Sequence, residues 1–271
     1  MAVDAGLQAV ALTDHDTVSG IDEFLAAARG QPITAVPGVE VSAMISSREV
    51  HILGFFIDHQ NSELRQFLDG IRVSRNLRNE NMIRRIRSLG YDISMEEVTA
   101  RAGGESIGRP HVAALLIEKG YFKDSQQAFE RCLRRGAPGY CSRELPPPQE
   151  AIARIRAAGG VSVWAHPVYR NKYARSHVRG IIKRLQPLGL NGVEGYYPGY
   201  TPAQQQMLFE LAEMHQLIIS GGTDFHGSNM PTIAIGSGYG NFHVPVQCFH
   251  ALQKCHEDVI CANHNSITTG E

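Results

Sequence analysis

Short apolar runs ending abruptly in polar residues alternate with amphipathic stretches over residues 1–57 and again over 151–271. Leu7–Leu12 reads as a buried strand that opens into Thr13-Asp14-His15-Asp16-Thr17. Met1–Gly6 before it reads as the end of a helix, with Gly6 as the C-cap. Ser19 is placed to cap a helix over 19–29, whose Ile21, Phe24, Leu25 and Ala28 share one face. Ile33–Val36 predicts a short strand, and Pro37-Gly38-Val39-Glu40-Val41-Ser42 places Glu40 after it. Val50–Phe56 predicts another strand, with His51 inside an apolar run.

The period changes between residues 58 and 150. Leu64, Phe67, Leu68 and Ile71, then Met82, Ile83, Ile86 and Leu89, follow helical spacing up to Gly90. Further helices are expected near 95–101, 109–119 and 124–135, and the stretch closes at Pro146-Pro147-Pro148. No strand pattern interrupts it, so 58–150 reads as a helical insertion domain into a chain otherwise built of 1–57 and 151–271. Arg72, Arg75 and Arg78 recur every three residues and read as a solvated helix face. Gly108-Arg109-Pro110-His111 places Arg109 and His111 at a helix N-terminus. That is either an anion site or an ordinary proline-started helix.

From 151 onward strand and helix alternate again. Val161–Ala165 runs into His166-Pro167. Gly192–Tyr197 carries Glu194, and Leu217–Ser220 runs into Gly221-Gly222-Thr223-Asp224-Phe225-His226. Helices are expected over 151–158, 177–188, 202–215 and 245–257. His243, His250, His256 and His264 show no ligand spacing and read as surface residues.

Singly, each strand-end group has an ordinary reading, such as a core histidine or a turn aspartate. Together, Asp14, His15, Glu40, His51, His166, Asp224 and His226 stand where α/β folds build sites, at the ends of separate strands. Residues two apart in an extended segment point the same way, so Asp224 and His226 can face one ion. Imidazole with carboxylate and no thiolate suits Mn, Fe or Zn in a hydrolytic site. The surplus of ligands suggests two or three ions. There is no Gly-rich phosphate loop and no G-x-S-x-G.

Composition narrows the setting. The 271 residues are 43% hydrophobic and 20% charged, with a net charge of −1, so bulk attraction to nucleic acid is not expected. No apolar run is long enough to span a membrane, and the N-terminus lacks a signal pattern. The five cysteines are scattered and never C-x-x-C, as for reduced thiols in the cytoplasm. Nothing in the pattern implies a stable protein partner.

With these residues in hand, the sequence resembles the PHP (polymerase and histidinol phosphatase) family. Thr13-Asp14-His15-Asp16, Pro37-Gly38-Val39-Glu40, His51, Ala165-His166-Pro167 and Thr223-Asp224-Phe225-His226 match its motifs in order. The spacing and the Gly-Arg-Pro-His stretch resemble the bacterial branch acting on nucleoside 3′,5′-bisphosphates and the 5′ ends of short RNAs. The resemblance implies a distorted (β/α)7 barrel with a trinuclear metal site, manganese fitting best. It implies His15 and His226 on one ion with Glu40 bridging two others. His51 and His166 would complete the second ion, Asp224 would bind the first, and Asp14 would orient His15. Glu40 and His166 would be catalytic, while Arg109, His111 and Arg143 would bind the substrate phosphate from an insertion covering the site. The family's opening H-x-H motif and its Ser-Asp-Gly turn have no counterpart here, so the expected barrel lacks its first strand and part of the metal ligation.

The expected activity is therefore metal-dependent hydrolysis of phosphate esters in nucleotides or at RNA 5′ ends, as a phosphatase or exoribonuclease. Two other readings stay open. One is a catalytically impaired metal- or nucleotide-binding protein. The other is an amidohydrolase-type C–N hydrolase, which would want a strand-end lysine that Lys119, Lys123, Lys172, Lys183 and Lys254 do not supply.

Overall fold

A computed structural model describes residues 1–46, 48–102, 107–168, 174–227 and 230–268, with side chains up to 262. Lys172 and the His264 side chain lie outside the described residues. Six strands form one sheet in chain order: β1 (Ala9–Leu12), β2 (Thr34–Ile45), β3 (Arg48–Phe55), β4 (Val161–Trp164), β5 (Gly192–Tyr196) and β6 (Ile218–Gly221). β1–β2, β4–β5 and β5–β6 pair in parallel, while β3 is antiparallel to both β2 and β4. That reversal has a consequence for chemistry. The start of β3, with His51, lies at the same end of the sheet as the C-terminal ends of the other strands.

The helices are α1 (Ile21–Ala28), α2 (Ser62–Ser88), α3 (Met95–Ala102), α4 (Arg109–Glu118), α5 (Ser125–Ala128), α6 (Pro148–Ala157), α7 (Arg175–Leu185), α8 (Pro202–Met214) and α9 (Val246–Thr268). Two compact units result, Met1–Leu68 with Pro146–Glu271, and Asp69–Leu145. In the first, Val36, Leu53, Phe55, Val161, Val163 and Ala165 on the strands pack with Leu252 of α9. The amphipathic period of α7 buries Val178, Ile181, Ile182 and Leu185. Each such side chain contributes roughly 1.5–3 kcal/mol by leaving water. Thr201 starts α8 through a reciprocal cap, accepting from the Gln204 N–H while the Gln204 side chain accepts from Thr201 N–H. In the second unit Met82, Ile83 and Ile86 of α2 pack with Val112, Leu116, Phe122 and Leu133. No described helix is long and apolar enough to cross a membrane.

Several local expectations are corrected. Met1–Gly6 forms turns, not a helix end. The strand expected to end at Val36 continues through Pro37-Gly38 as the 12-residue β2, and Glu40 sits inside it. Proline is tolerated there because pairing with β3 begins only at Gly38, so its missing N–H falls where β2 has β1 alone as a neighbour. Pro148 opens α6, where a missing N–H costs no bond. The expected 124–135 helix becomes α5 followed by a π-helical turn, Phe129–Leu133. The arginine row on α2 is not a uniformly solvated face: Arg72 is exposed, but Arg75 and Arg78 are each only 8% exposed. Their alkyl stems allow this. His256 is half-buried, its ring stacked on Phe56 at 4.9 Å.

Candidate metal centre

The β1–β2 ladder continues past β1 as an isolated parallel bridge between His15 and Glu40. The Glu40 N–H donates to the Asp14 carbonyl (3.0 Å), and the Asp16 N–H donates to the Glu40 carbonyl (2.9 Å). This pins the imidazole of His15 beside the Glu40 carboxylate. Asp16 then locks the turn from below. Fully buried, it accepts from the Ser42 N–H (2.7 Å) and the Ser42 hydroxyl (3.0 Å). Asp14 is exposed, and its peptide carbonyl takes part in the bridge.

Around Glu40, which is 5% exposed, three imidazoles converge. His51 Nδ1 lies 2.9 Å from Oε1, His166 Nε2 3.0 Å from the same oxygen, and His15 Nδ1 3.5 Å from Oε2. His51 Nδ1 and His166 Nε2 are 3.2 Å apart. Metal bonds of about 2.1 Å place neighbouring donor atoms about 3.0–3.4 Å apart. The observed separations are those of a coordination shell, and the donor set suits divalent cations. His15, Glu40 and His51 offer ligand atoms that all lie within 4.8 Å of one another.

His226 stands farther out, its ring centroid 6.2 Å from that of His15. Its Nδ1 lies 2.7 Å from the Asp224 carbonyl, which can only accept. The proton therefore sits on Nδ1, leaving Nε2 as the lone-pair nitrogen. Asp224 accepts a hydrogen bond from the Tyr197 hydroxyl (2.9 Å), and the Tyr197 ring meets the His166 ring edge-on at 5.8 Å. Asp16, His166 and Asp224 all hold positive φ (57°, 29° and 51°), so three site loops carry backbone strain of the kind found at functional sites.

Electrostatics matches this geometry. Burial opposes the charge on Glu40, but the positive imidazoles of His15 and His51, with hydrogen bonds from His166 and His51, hold its carboxyl well below the usual range. Burial disfavours a charged His51 too, yet the Glu40 carboxylate pushes it up to about 10. His166 moves upward against its own burial through the Glu40 hydrogen bond.

Sequence reasoning missed Glu194, Tyr197, Asp16 and Ser42 as site residues. Glu194 lies within β5, and its sequence alone does not set it apart from an ordinary strand carboxylate. It lies buried, and burial raises its carboxyl to about 8, the His166 charge opposing and the Asp224 charge reinforcing the shift.

Arg109, His111 and Arg143 belong to the helical unit. His111 Nδ1 accepts the Gly108 N–H (3.1 Å), closing the start of α4. The half-buried Arg109 lays its guanidinium 5.8 Å from the Tyr140 ring centroid, and Arg143 is also half-buried.

No family model matches the sequence. Individual proteins do. The chain is 33% identical over 221 residues to a 5′-3′ exoribonuclease of Haemophilus influenzae, covering 82% of this chain and 80% of that one. It is 32% identical to the 3′,5′-nucleoside bisphosphate phosphatase of Chromobacterium violaceum, over 80% and 76% of the two chains. A Bifidobacterium adolescentis protein assigned as a metal-dependent phosphoesterase superposes with a TM-score of 0.81 at 28% identity, covering 94% and 88%. This chain belongs to the PHP family of metal-dependent phosphoesterases. Another solved relative, described as a C. violaceum amidohydrolase and holding sulfate without metal, superposes with a TM-score of 0.82 at 30% identity, covering 93% and 88%. PHP chemistry rather than C–N hydrolysis agrees with the lysines. Lys183 lies on α7 and Lys254 on α9, while Lys119 and Lys123 follow α4 in the helical unit, so none of these four ends a strand.

Proposed function

We propose that this PHP phosphoesterase hydrolyses a phosphate ester of a nucleoside 3′,5′-bisphosphate or at the 5′ end of a short RNA, using two or three divalent ions, with Mn2+ the best fit. The observation that carries the reading is one buried carboxylate shared by three imidazoles at coordination-shell spacing. Glu40 turns Oε1 toward His51 and His166 and Oε2 toward His15, as a carboxylate that bridges two ions must. His226, through Nε2, and Asp224 would join His15 on a further ion. Bound ions of this kind lower the pKa of water and offset charge developing on a phosphoryl group. Glu40 and His166 are the groups proposed at the reacting centre, with Glu40 holding its negative charge at neutral pH. The names of the two sequence relatives support the nucleotide and RNA substrates. The five free cysteines, none of them in a disulfide, support a cytoplasmic setting.

Full-length protein supplied with Mn2+ is expected to release inorganic phosphate from adenosine 3′,5′-bisphosphate or mononucleotides from a 5′-phosphorylated oligoribonucleotide, and to stop when a chelator is added. Stoichiometric Mn2+ binding with neither product released would instead mark a metal-binding protein without turnover and overturn the proposal.

Within the helical unit, Arg109 and His111 at the start of α4, together with Arg143, are proposed to bind a substrate phosphate. A guanidinium at the positive end of a helix suits that anion. Arg109→Ala is expected to raise KM about tenfold with kcat nearly unchanged, as for a group that binds ground and transition states alike. An unchanged KM would leave Arg109 with only its contact on Tyr140.

A further inference from the structure

We propose that Glu194 is a positioning residue for the metal centre: its carboxyl group fixes the peptide that carries His166, beside the loop that carries Asp224. This rests on the reading of His166 and Asp224 as metal ligands. The strand order makes it possible. β5 lies between β4 and β6, so a side chain near its C-terminal end can reach the loops that leave both neighbours. Glu194 is on β5, and its Oε2 accepts the His166 N–H at 2.7 Å. Its Oε1 faces the β6 loop, only 3.5 Å from where a Cβ on Gly222 would stand. The Tyr200 hydroxyl donates to the Glu194 carbonyl at 3.3 Å, fixing the peptide from which this side chain extends.

The loops on either side of Glu194 need holding. His166 has φ of 29° and Asp224 of 51°, conformations that residues other than glycine adopt only when their surroundings impose them. The His166 N–H leaves the β4 ladder at that point and takes a side-chain acceptor in place of a strand neighbour. That bond sets the direction of the ring, whose Nε2 then meets Glu40 at 3.0 Å. Glu194 acts through the backbone of His166, so what it supplies is an acceptor oxygen of the right length and placement.

The full chain is titrated with Mn2+ by calorimetry, and kcat and KM are measured on the substrate that it turns over. Glu194→Ala is expected to weaken Mn2+ binding and lower kcat about 10–100-fold, with KM little changed. Glu194→Gln keeps an amide oxygen for the His166 N–H and is expected to recover most of both losses. Wild-type Mn2+ affinity in Glu194→Ala overturns the proposal. So does a Glu194→Gln variant as impaired as Glu194→Ala, since the carboxylate charge itself would then be needed. If Glu194→Ala fails to fold, Glu194→Gln decides against the wild type: near-wild-type Mn2+ affinity and kcat support the proposal, and a loss of about 10–100-fold overturns it. Glu40→Gln, titrated in parallel, separates the two levels. Loss of Mn2+ binding there with full retention in Glu194→Ala removes Glu194 alone. Retention in Glu40→Gln removes the metal-centre reading beneath it.

Discussion

Glu40→Gln is expected to lower kcat/KM at least about a thousandfold, equivalent to about 4 kcal/mol of transition-state stabilisation, while the melting temperature of the metal-free protein moves by only a few degrees. The two expectations have one cause. Glu40 is the buried carboxylate on which His15, His51 and His166 converge. An amide has nearly the same shape but no charge to hold two cations against their mutual repulsion. The fold tolerates the exchange because the amide fills the same space. In the wild-type chain the Glu40 charge keeps His51 protonated against its burial, with a pKa of about 10. With that charge gone, burial acts against protonation and the His51 value falls, while Glu49 still favours the proton. Steady-state kinetics with thermal melts checks the main effect, and a histidine NMR titration checks the downward shift. Normal turnover by Glu40→Gln would exclude it as the bridging carboxylate.

The ends of strands were easier to read from the sequence than what holds them in place. Val10–Leu12 running into Thr13-Asp14-His15 and Val161–Ala165 running into His166-Pro167 are local patterns, an apolar run followed by a ligand-bearing turn, and each folds where its own residues direct. β2 was misread because its identity is not local. Pro37-Gly38 has the composition of a turn, yet two neighbouring strands extend it across twelve residues. The same tertiary pairing turns Glu40 from a loop residue into a strand residue locked to His15. Asp16 and Ser42 escaped notice because their contact spans 26 positions along the chain. Arg75 and Arg78 misled for the opposite reason. A row of charges at helical spacing reads as solvated, but spacing along one helix does not say what packs over it, and Arg75 and Arg78 are buried. Only placing Glu194 beside His166 distinguishes its carboxylate from a routine strand-end acid.

Gly38→Ala tests how tightly the sheet must close for the centre to form, and about 3 kcal/mol of stability is expected to be lost, as for an overpacked core position. A Cβ at Gly38 would stand 2.7 Å from Thr13 Cγ2, 2.8 Å from the Gly54 carbonyl oxygen and 3.0 Å from the Leu12 carbonyl oxygen. The methyl of Thr13 can rotate away. The two carbonyls cannot, because they belong to the strands on either side. Glycine is present here for close backbone approach, not for an unusual φ. Relief requires β2 to move away from β1 or β3, and Glu40 lies two residues further along the same strand. The substitution should therefore lower the melting temperature by roughly 6–12 °C and weaken Mn2+ binding in parallel. Gly180→Ala is the matched control. Gly180 lies on α7 with nothing within 4 Å of an added Cβ, so the change should be neutral or stabilise by up to about 1 kcal/mol through helix propensity. Differential scanning calorimetry of both variants, with and without Mn2+, distinguishes the two positions. If Gly38→Ala melts like the wild type and binds Mn2+ equally well, the strand spacing around Glu40 is looser than the backbone contacts require.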